Sequence, residues 1–226
     1  MKMLRVCIDP GHGGSDPGAV NGALYEKDVV LDIGKKLKEL LKNAGYEVIM
    51  TRENDTYLTP RQKANIGNEK RADIFVSIHC NSASSEEANG TETLTFDEDG
   101  MSYLLGRCIQ KNLISALGLK DRGIKIRKEL TVLNSTSMPA VLAEIAFISN
   151  VSEKLMLVRP DFKAKTAKAI FNGIEEYFEK GGDEVTLEEA KKIVREGCGF
   201  DDNTMKYLEF YRYGDKLITR IAEKIK

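Results

Sequence analysis

Two hydrophobic rhythms alternate along the first third of the chain. Short apolar runs, Met3 to Ile8, Glu47 to Thr51 and Ala72 to Ile78, have the length of strands and end in polar or Pro/Gly residues. Between the first two, Val29, Val30, Ile33, Leu37, Leu40 and Leu41 recur at three- and four-residue spacing. That pattern predicts an amphipathic helix from Tyr25 to Ala44, stopped by Gly45. Thr59-Pro60 predicts the start of a second helix, reaching about Lys70, with Thr as N-cap and Pro in the first turn. Strand, helix, strand, helix, strand at these lengths is the pattern of a doubly wound sheet. Right-handed crossovers make its strands parallel.

Beyond Ile78 the pattern is more broken. Asn81 to Asn89 is polar and predicts a surface loop, and Gly90 to Phe96 alternates as a strand. Met101 to Leu117 predicts a helix closed by Gly118, and Phe162 to Phe178 another. Thr131-Val132-Leu133 and Ala140 to Ala143 predict two short strands around the turn-like Ser135 to Pro139. Gly181-Gly182 predicts a break. After it, Thr186 to Glu189 has the form of a capping box, and Asp202 to Lys226 carries apolar residues at helical spacing. The expectation is an α/β fold: a three-layer, mostly parallel twisted sheet flanked by helices over residues 1–180, and a small C-terminal helical appendage over 183–226.

Composition narrows the class. A chain of 226 residues with 42% hydrophobic and 31% charged residues is ordinary for a globular protein. Its 34 basic and 35 acidic residues leave no basic excess, which argues against a nucleic-acid partner. No apolar run approaches the roughly 20 residues needed to span a bilayer, and stable membrane association is not expected. The first strand begins at once, without the charged and apolar regions of a signal peptide, so synthesis and residence in the cytoplasm until release are expected. None of the four cysteines forms a C-x-x-C pair, which points to buried, reduced thiols.

The chemistry gathers around two histidines, the only ones in the chain. His12 lies in Asp9-Pro10-Gly11-His12-Gly13-Gly14, directly after the first strand, and His79 follows the strand Ala72 to Ile78. Ligands of doubly wound sheets collect outside the carboxyl ends of the strands, so these two residues can meet there. Alternation along the strand turns Cys80 to the opposite face from His79. Catalytic zinc takes three ligands from His and Asp/Glu and leaves one position for water. Glu26, opening the first helix, is the acidic candidate, although an acid in a first turn also serves the helix dipole. Glu144, between Ala143 and Ile145 at the end of another predicted strand, is either a solvent-facing strand end or a buried carboxyl suited to general-base work.

At this point the sequence resembles the zinc-dependent N-acetylmuramoyl-L-alanine amidases of type 3, over about Met3 to Phe178. The resemblance rests on Ile8 to Gly14, Gly18-Ala19, Tyr25 to Asp28, Thr51-Arg52, Leu58, Arg61, Ala64-Asn65 and Ala72-Asp73. It continues through Ser77 to Asn81, Gly90 to Glu92, Pro139 to Glu144 and Phe147 to Asn150. It implies His12, Glu26 and His79 as zinc ligands and Glu144 as catalytic acid/base. The implied reaction cleaves the amide between N-acetylmuramic acid and L-alanine of the peptidoglycan stem peptide. Cys80, Ala143 and Ala146 depart mildly from the family pattern at packing positions. Asp9 and Glu92 are first guesses for the acceptors behind the histidine rings, although Asp9, before Pro-Gly, is rather expected to cap its own loop.

Three alternatives stand beside this reading. One is an idle wall-binding module, against which the complete set of two His and two Glu argues. Another is a zinc peptidase acting on a different amide. The third concerns setting: a wall enzyme without a signal peptide fits a phage or prophage endolysin, or a lytic amidase of the sporulating mother cell. The endolysin is the favoured expectation. The tail from Asp183 is expected to bind wall, form a homodimer through its helices, or pack as core.

Overall fold

The computed structural model describes residues 3–182 and 187–210, together with positions 218, 221, 222 and 225. The chain divides into two compact units, Met1–Tyr177 and Phe178–Lys226. In chain order the first contains β1 (Arg5–Pro10), a short hairpin of β2 (Val20–Asn21) and β3 (Leu24–Tyr25), and α1 (Glu26–Asn43). Then follow β4 (Glu47–Met50), α2 (Pro60–Glu69), β5 (Ile74–Asn81), β6 (Thr91–Thr95) and α3 (Gly100–Leu117). β7 (Asp121–Ile126), α4 (Thr131–Asn134), β8 (Ala140–Phe147), α5 (Val151–Leu157) and α6 (Pro160–Gly182) complete the series, α6 crossing the unit boundary.

Six strands form one sheet in the order β4-β1-β5-β8-β6-β7. Every neighbouring pair is parallel except β6 with β8, so the sheet is mixed but mostly parallel. The predicted α/β architecture is the one observed. Its first half follows from the apolar spacing: α1 buries Val29, Val30, Ile33, Gly34, Leu37 and Leu41, the stripe that the sequence displays. In α2 the Thr59 side chain accepts from the Gln62 amide while the Gln62 side chain reaches back to the Thr59 amide, a complete capping box.

Register explains where chemistry can stand. Successive side chains of a strand point to opposite faces, and paired residues share a face. Cys7, Phe75, Ala140, Leu142 and Leu94 form one apolar cluster with Val132 and Leu133 of α4. Two residues further toward the carboxyl ends of β1, β5 and β8, the same face presents Asp9, Ser77, His79 and Glu144, and antiparallel β6 adds Glu92 opposite Glu144. One face thus changes from apolar core to charged residues within a few ångströms.

Several local expectations are corrected. Thr131-Val132-Leu133 is not a strand but the short helix α4, because Val132 and Leu133 both turn down onto the apolar cluster instead of alternating. Gly181 and Gly182 are the last residues of α6, so the predicted break does not fall before Gly182. β7 and α5 escaped the sequence reading. β7 has only partly buried residues at a sheet edge, and α5 leaves Val151 and Leu155 exposed, so neither carries a clean apolar rhythm.

In the second unit, α7 (Leu187–Cys198) and α8 (Asp202–Phe210) contribute Val194 and Met205 to a core with Ile218 and Ala222. The expected capping box at Thr186 lies outside the described residues, as does most of the chain beyond Phe210. Among the described residues no helix is long and apolar enough to cross a membrane.

Candidate metal centre

The loop after β1 is shaped to aim His12. Gly11 N donates to Ile78 O at 2.9 Å, which keeps the chain beside β5 one residue past the strand. A Cβ on Gly11 would overlap the His79 ring, so only glycine lets the two ligand-bearing segments approach. His12 itself has φ 57, the left-handed region that non-glycine residues rarely adopt. Gly13 and Asp16 then pair through both backbone bonds, at 2.9 and 3.1 Å, and turn the chain back. At Gly18 (φ 67) a Cβ would stand 2.6 Å from both Glu26 Oε2 and His12 Cδ2.

Glu26, His79 and His12 converge from α1, β5 and this loop, with one ligand atom of each within 4.8 Å of the others. Glu26 Oε2 lies 3.2 Å from His12 Nε2, and Glu26 Oε1 lies 3.0 Å from His79 Nδ1. Backbone amides of Ala19 and Cys80 donate to the same two oxygens at 2.8 Å each. Burial opposes the charge on Glu26, but the two imidazoles outweigh it and hold the carboxyl well below its ordinary range. Burial likewise opposes a charge on His12, and the carboxylates of Glu26 and Asp16 outweigh it and raise its pKa.

Glu144 stands beside His79 on β8, with Glu92 opposite on β6. Its Oε2 is the one buried side-chain oxygen without a hydrogen-bond partner among the described residues. Burial, with the Glu26 and Glu92 charges adding and His79 opposing, pushes its pKa up to about 7. Cys80, on the face away from His79, is buried, and burial raises its thiol well above the ordinary value. The thiols of Cys7, Cys80, Cys108 and Cys198 are all free, and Cys198 alone is exposed.

The guesses about the supporting acceptors are corrected. Asp16, not Asp9, meets His12 Nδ1, at 2.8 Å, and its other oxygen accepts from Gly18 N at 3.0 Å. Asp9 is fully buried and accepts from Thr51 Oγ1 (2.6 Å) and Ser77 Oγ (2.7 Å), with Lys63 Nζ at 3.1 Å. It does not cap its own loop. Glu92 accepts from Asn81 Nδ2 (2.9 Å) and Arg122 Nε (2.8 Å) and touches neither imidazole. Sequence reasoning missed Asp16, because four-residue spacing brings side chains together in a helix and this segment is a loop. It also missed Lys63, whose signal was a charge at a buried position of α2 beside Ala64 and one turn before Gly67.

Two imidazoles and a carboxylate, oriented by amide and carboxylate partners, form the donor set that suits a divalent zinc-like ion. The partnerless Glu144 oxygen beside them is what a site built to hold water and substrate would leave. A cavity of about 170 Å³ opens from His12 and His79 between apolar walls that include Leu58, Leu130, Val132 and Leu142.

Comparison with known proteins agrees with this picture. The sequence pattern of the Amidase_3 family, N-acetylmuramoyl-L-alanine amidase, matches residues 6–176. A germination-specific N-acetylmuramoyl-L-alanine amidase from Bacillus subtilis is 33% identical over 79% of this chain and 81% of its own length. The endolysin of Bacillus phage SPP1 is 39% identical over 76% of this chain and 65% of its own length. Among solved structures, the catalytic domain of CwlV, an N-acetylmuramoyl-L-alanine amidase from Bacillus (Paenibacillus) polymyxa var. colistinus, superposes with a TM-score of 0.75 at 38% identity. That match covers 78% of this chain and 99% of the CwlV domain.

Proposed function

The chain belongs to the N-acetylmuramoyl-L-alanine amidase family, and from that premise we propose that it is a zinc hydrolase. Its substrate is the amide between N-acetylmuramic acid and L-alanine of the peptidoglycan stem peptide. The observation that carries this reading is the buried, partnerless Glu144 oxygen next to the convergent His12, Glu26 and His79.

His12, Glu26 and His79 would hold the ion. Bound there, zinc supplies a positive charge that acidifies water and polarises an amide carbonyl. Asp16, beside His12 Nδ1, would accept its N–H and so leave Nε2 for the ion. Glu144, ionised, takes a proton from the water that attacks the lactyl carbonyl. It then returns that proton to the nitrogen of L-alanine, which leaves poorly as an amide anion. A pKa of about 7 serves both transfers, because the group is basic enough to accept and acidic enough to give back.

Purified sacculi treated with the protein should gain alanine amino termini and no reducing sugar ends. Activity should vanish with a chelator and return with zinc. Glu144→Gln should keep zinc at wild-type stoichiometry and lose on the order of 10²–10⁴-fold in turnover, the usual worth of a general acid/base. Reducing ends would mean a glycosidase, and full activity in the Gln variant would sink the role of Glu144. For the setting we retain the endolysin reading, supported by the likeness to the phage SPP1 protein. A likeness of 35% to a sporulation-specific N-acetylmuramoyl-L-alanine amidase of Bacillus subtilis supports the alternative, a lytic amidase of the sporulating mother cell. Production on phage or prophage induction favours the first, and production only in sporulating mother cells favours the second.

A further inference from the structure

Three consecutive backbone carbonyls, those of Pro10, Gly11 and His12, accept from two buried cations. Pro10 O receives Arg52 Nε and Lys63 Nζ, each at 3.0 Å. Gly11 O receives Arg52 Nη2 at 2.7 Å, and His12 O receives Lys63 Nζ at 3.2 Å. Arg52 reaches on to Lys27 O (2.8 Å) and Asn54 O (3.1 Å), and Lys63 is tied to Asp9 Oδ1 at 3.1 Å. Arg52 and Lys63 are each only 4% exposed.

Burying two cations is expensive, and placing them one peptide away from a site for a divalent cation adds repulsion. Amides, hydroxyls or water could satisfy the same carbonyls without that cost. What two cations add is strong, charge-assisted hold on carbonyl direction, and for the Arg fork a hold on several carbonyls at once. Carbonyl direction is what matters here, since His12 sits in the left-handed region at φ 57. Rotation back to the right-handed region would turn the peptide planes on both sides and carry Nε2 away from Glu26.

We propose that Arg52 and Lys63 are positioning residues for metal binding: by gripping the carbonyls of Pro10, Gly11 and His12 they lock the left-handed backbone that aims the His12 ring. The proposal rests on the zinc reading of the site. It takes that reading further by assigning the aim of one ligand to backbone restraint from the far side of the loop. Lys63 arrives from α2 and Arg52 from just beyond β4, so two separate elements meet on one ligand-bearing loop.

The test uses the full chain with Arg52→Lys, Lys63→Gln and, as a rescue, Lys63→Arg. Co²⁺ titration followed by visible absorption, and Zn²⁺ competition, read the affinity and geometry of the site. Backbone chemical shifts of His12 and Gly13 in the metal-free protein read whether His12 keeps its left-handed φ. Arg52→Lys and Lys63→Gln are expected to unfold cooperatively, to bind metal about 10–100-fold more weakly, and to shift the Co²⁺ bands. In both, the shifts of the left-handed backbone at His12 give way to an average over conformers. Lys63→Arg recovers most of the affinity. Variants that fold and keep wild-type affinity, bands and His12 backbone shifts overturn the proposal. So does loss of cooperative unfolding in both, which would make the pair a requirement of the fold and not of the ligand's aim. If the wild-type protein binds neither Co²⁺ nor Zn²⁺, the zinc reading fails, while the His12 backbone shifts still decide the positioning role.

Discussion

Glu144 illustrates how one residue takes its chemistry from register. Along β8, Ala140 and Leu142 face the apolar cluster, and the next side chain on that face is a carboxyl. No cation or hydroxyl meets its Oε2, and burial pushes its pKa up to about 7. The sign of the consequences follows. The unfolded chain releases this proton near the ordinary value of 4.5, whereas the folded protein keeps it to about 7. The contribution of Glu144 to stability is therefore fully present below about 4.5 and is lost as pH rises through about 7. Under the proposed general-base role, activity has the opposite slope, because Glu144 must be ionised to accept a proton. Carbon-detected titration of the metal-free protein should give one glutamate step near 7, at Glu144, and a step below 5 would overturn this account. His12, Glu26, His79 and Glu144 could be picked as candidates because each is a ligand or acid type next to the end of a predicted element, although β8 runs on to Phe147 and holds Glu144 inside the strand. The partners of Asp9 and His12 could not. Whether Asp16 or Asp9 meets the His12 ring depends on a left-handed loop that no propensity foretells.

At the scale of elements, legibility tracked apolar rhythm. β1 and β5 were readable as continuous apolar runs, buried almost throughout, α1 from its apolar stripe, and α2 from its Thr59-Pro60 start. α4 was misread because a four-residue segment with two apolar side chains fits either period, and only packing onto Phe75 and Leu142 decides between them. α2 deserves a quantitative test, since it brings Lys63 under the His12 loop. Its start depends on the Thr59 side chain, which accepts from Gln62 N at 3.2 Å. Thr59→Ala removes that acceptor and is expected to cost about 1 kcal/mol. For a chain of this size that lowers the melting temperature by roughly 2–4 °C. Thermal unfolding followed by circular dichroism measures it, and an unchanged midpoint would show that tertiary packing alone fixes the start of α2.

For the whole molecule, the question is which part of the chain the chemistry needs. The family match ends at residue 176, and His12, Glu26, His79, Glu144, Arg52 and Lys63 all lie in the first compact unit. In the second unit Val194, Met205, Ile218 and Ala222 are buried together, while Tyr207 and Ile225 are exposed. A cut must still respect α6. That helix buries Ile170, Ile174 and Tyr177, and its Gly173 lies so close to Ile109 of α3 that a Cβ there would stand 2.7 Å from the Ile109 Cα. Ending the chain at Tyr177 would fray the last turns of a helix packed on α3. Ending it after Gly182 keeps α6 whole. Deletion of residues 183–226 is therefore expected to leave one cooperative unfolding transition, wild-type zinc affinity and unchanged kcat/KM on a soluble muramoyl peptide. Sedimentation with sacculi and chain mass by light scattering, compared with the full chain, then report wall binding and self-association by the tail separately from catalysis. A truncated protein that loses zinc or its cooperative transition would show that the first unit does not stand alone.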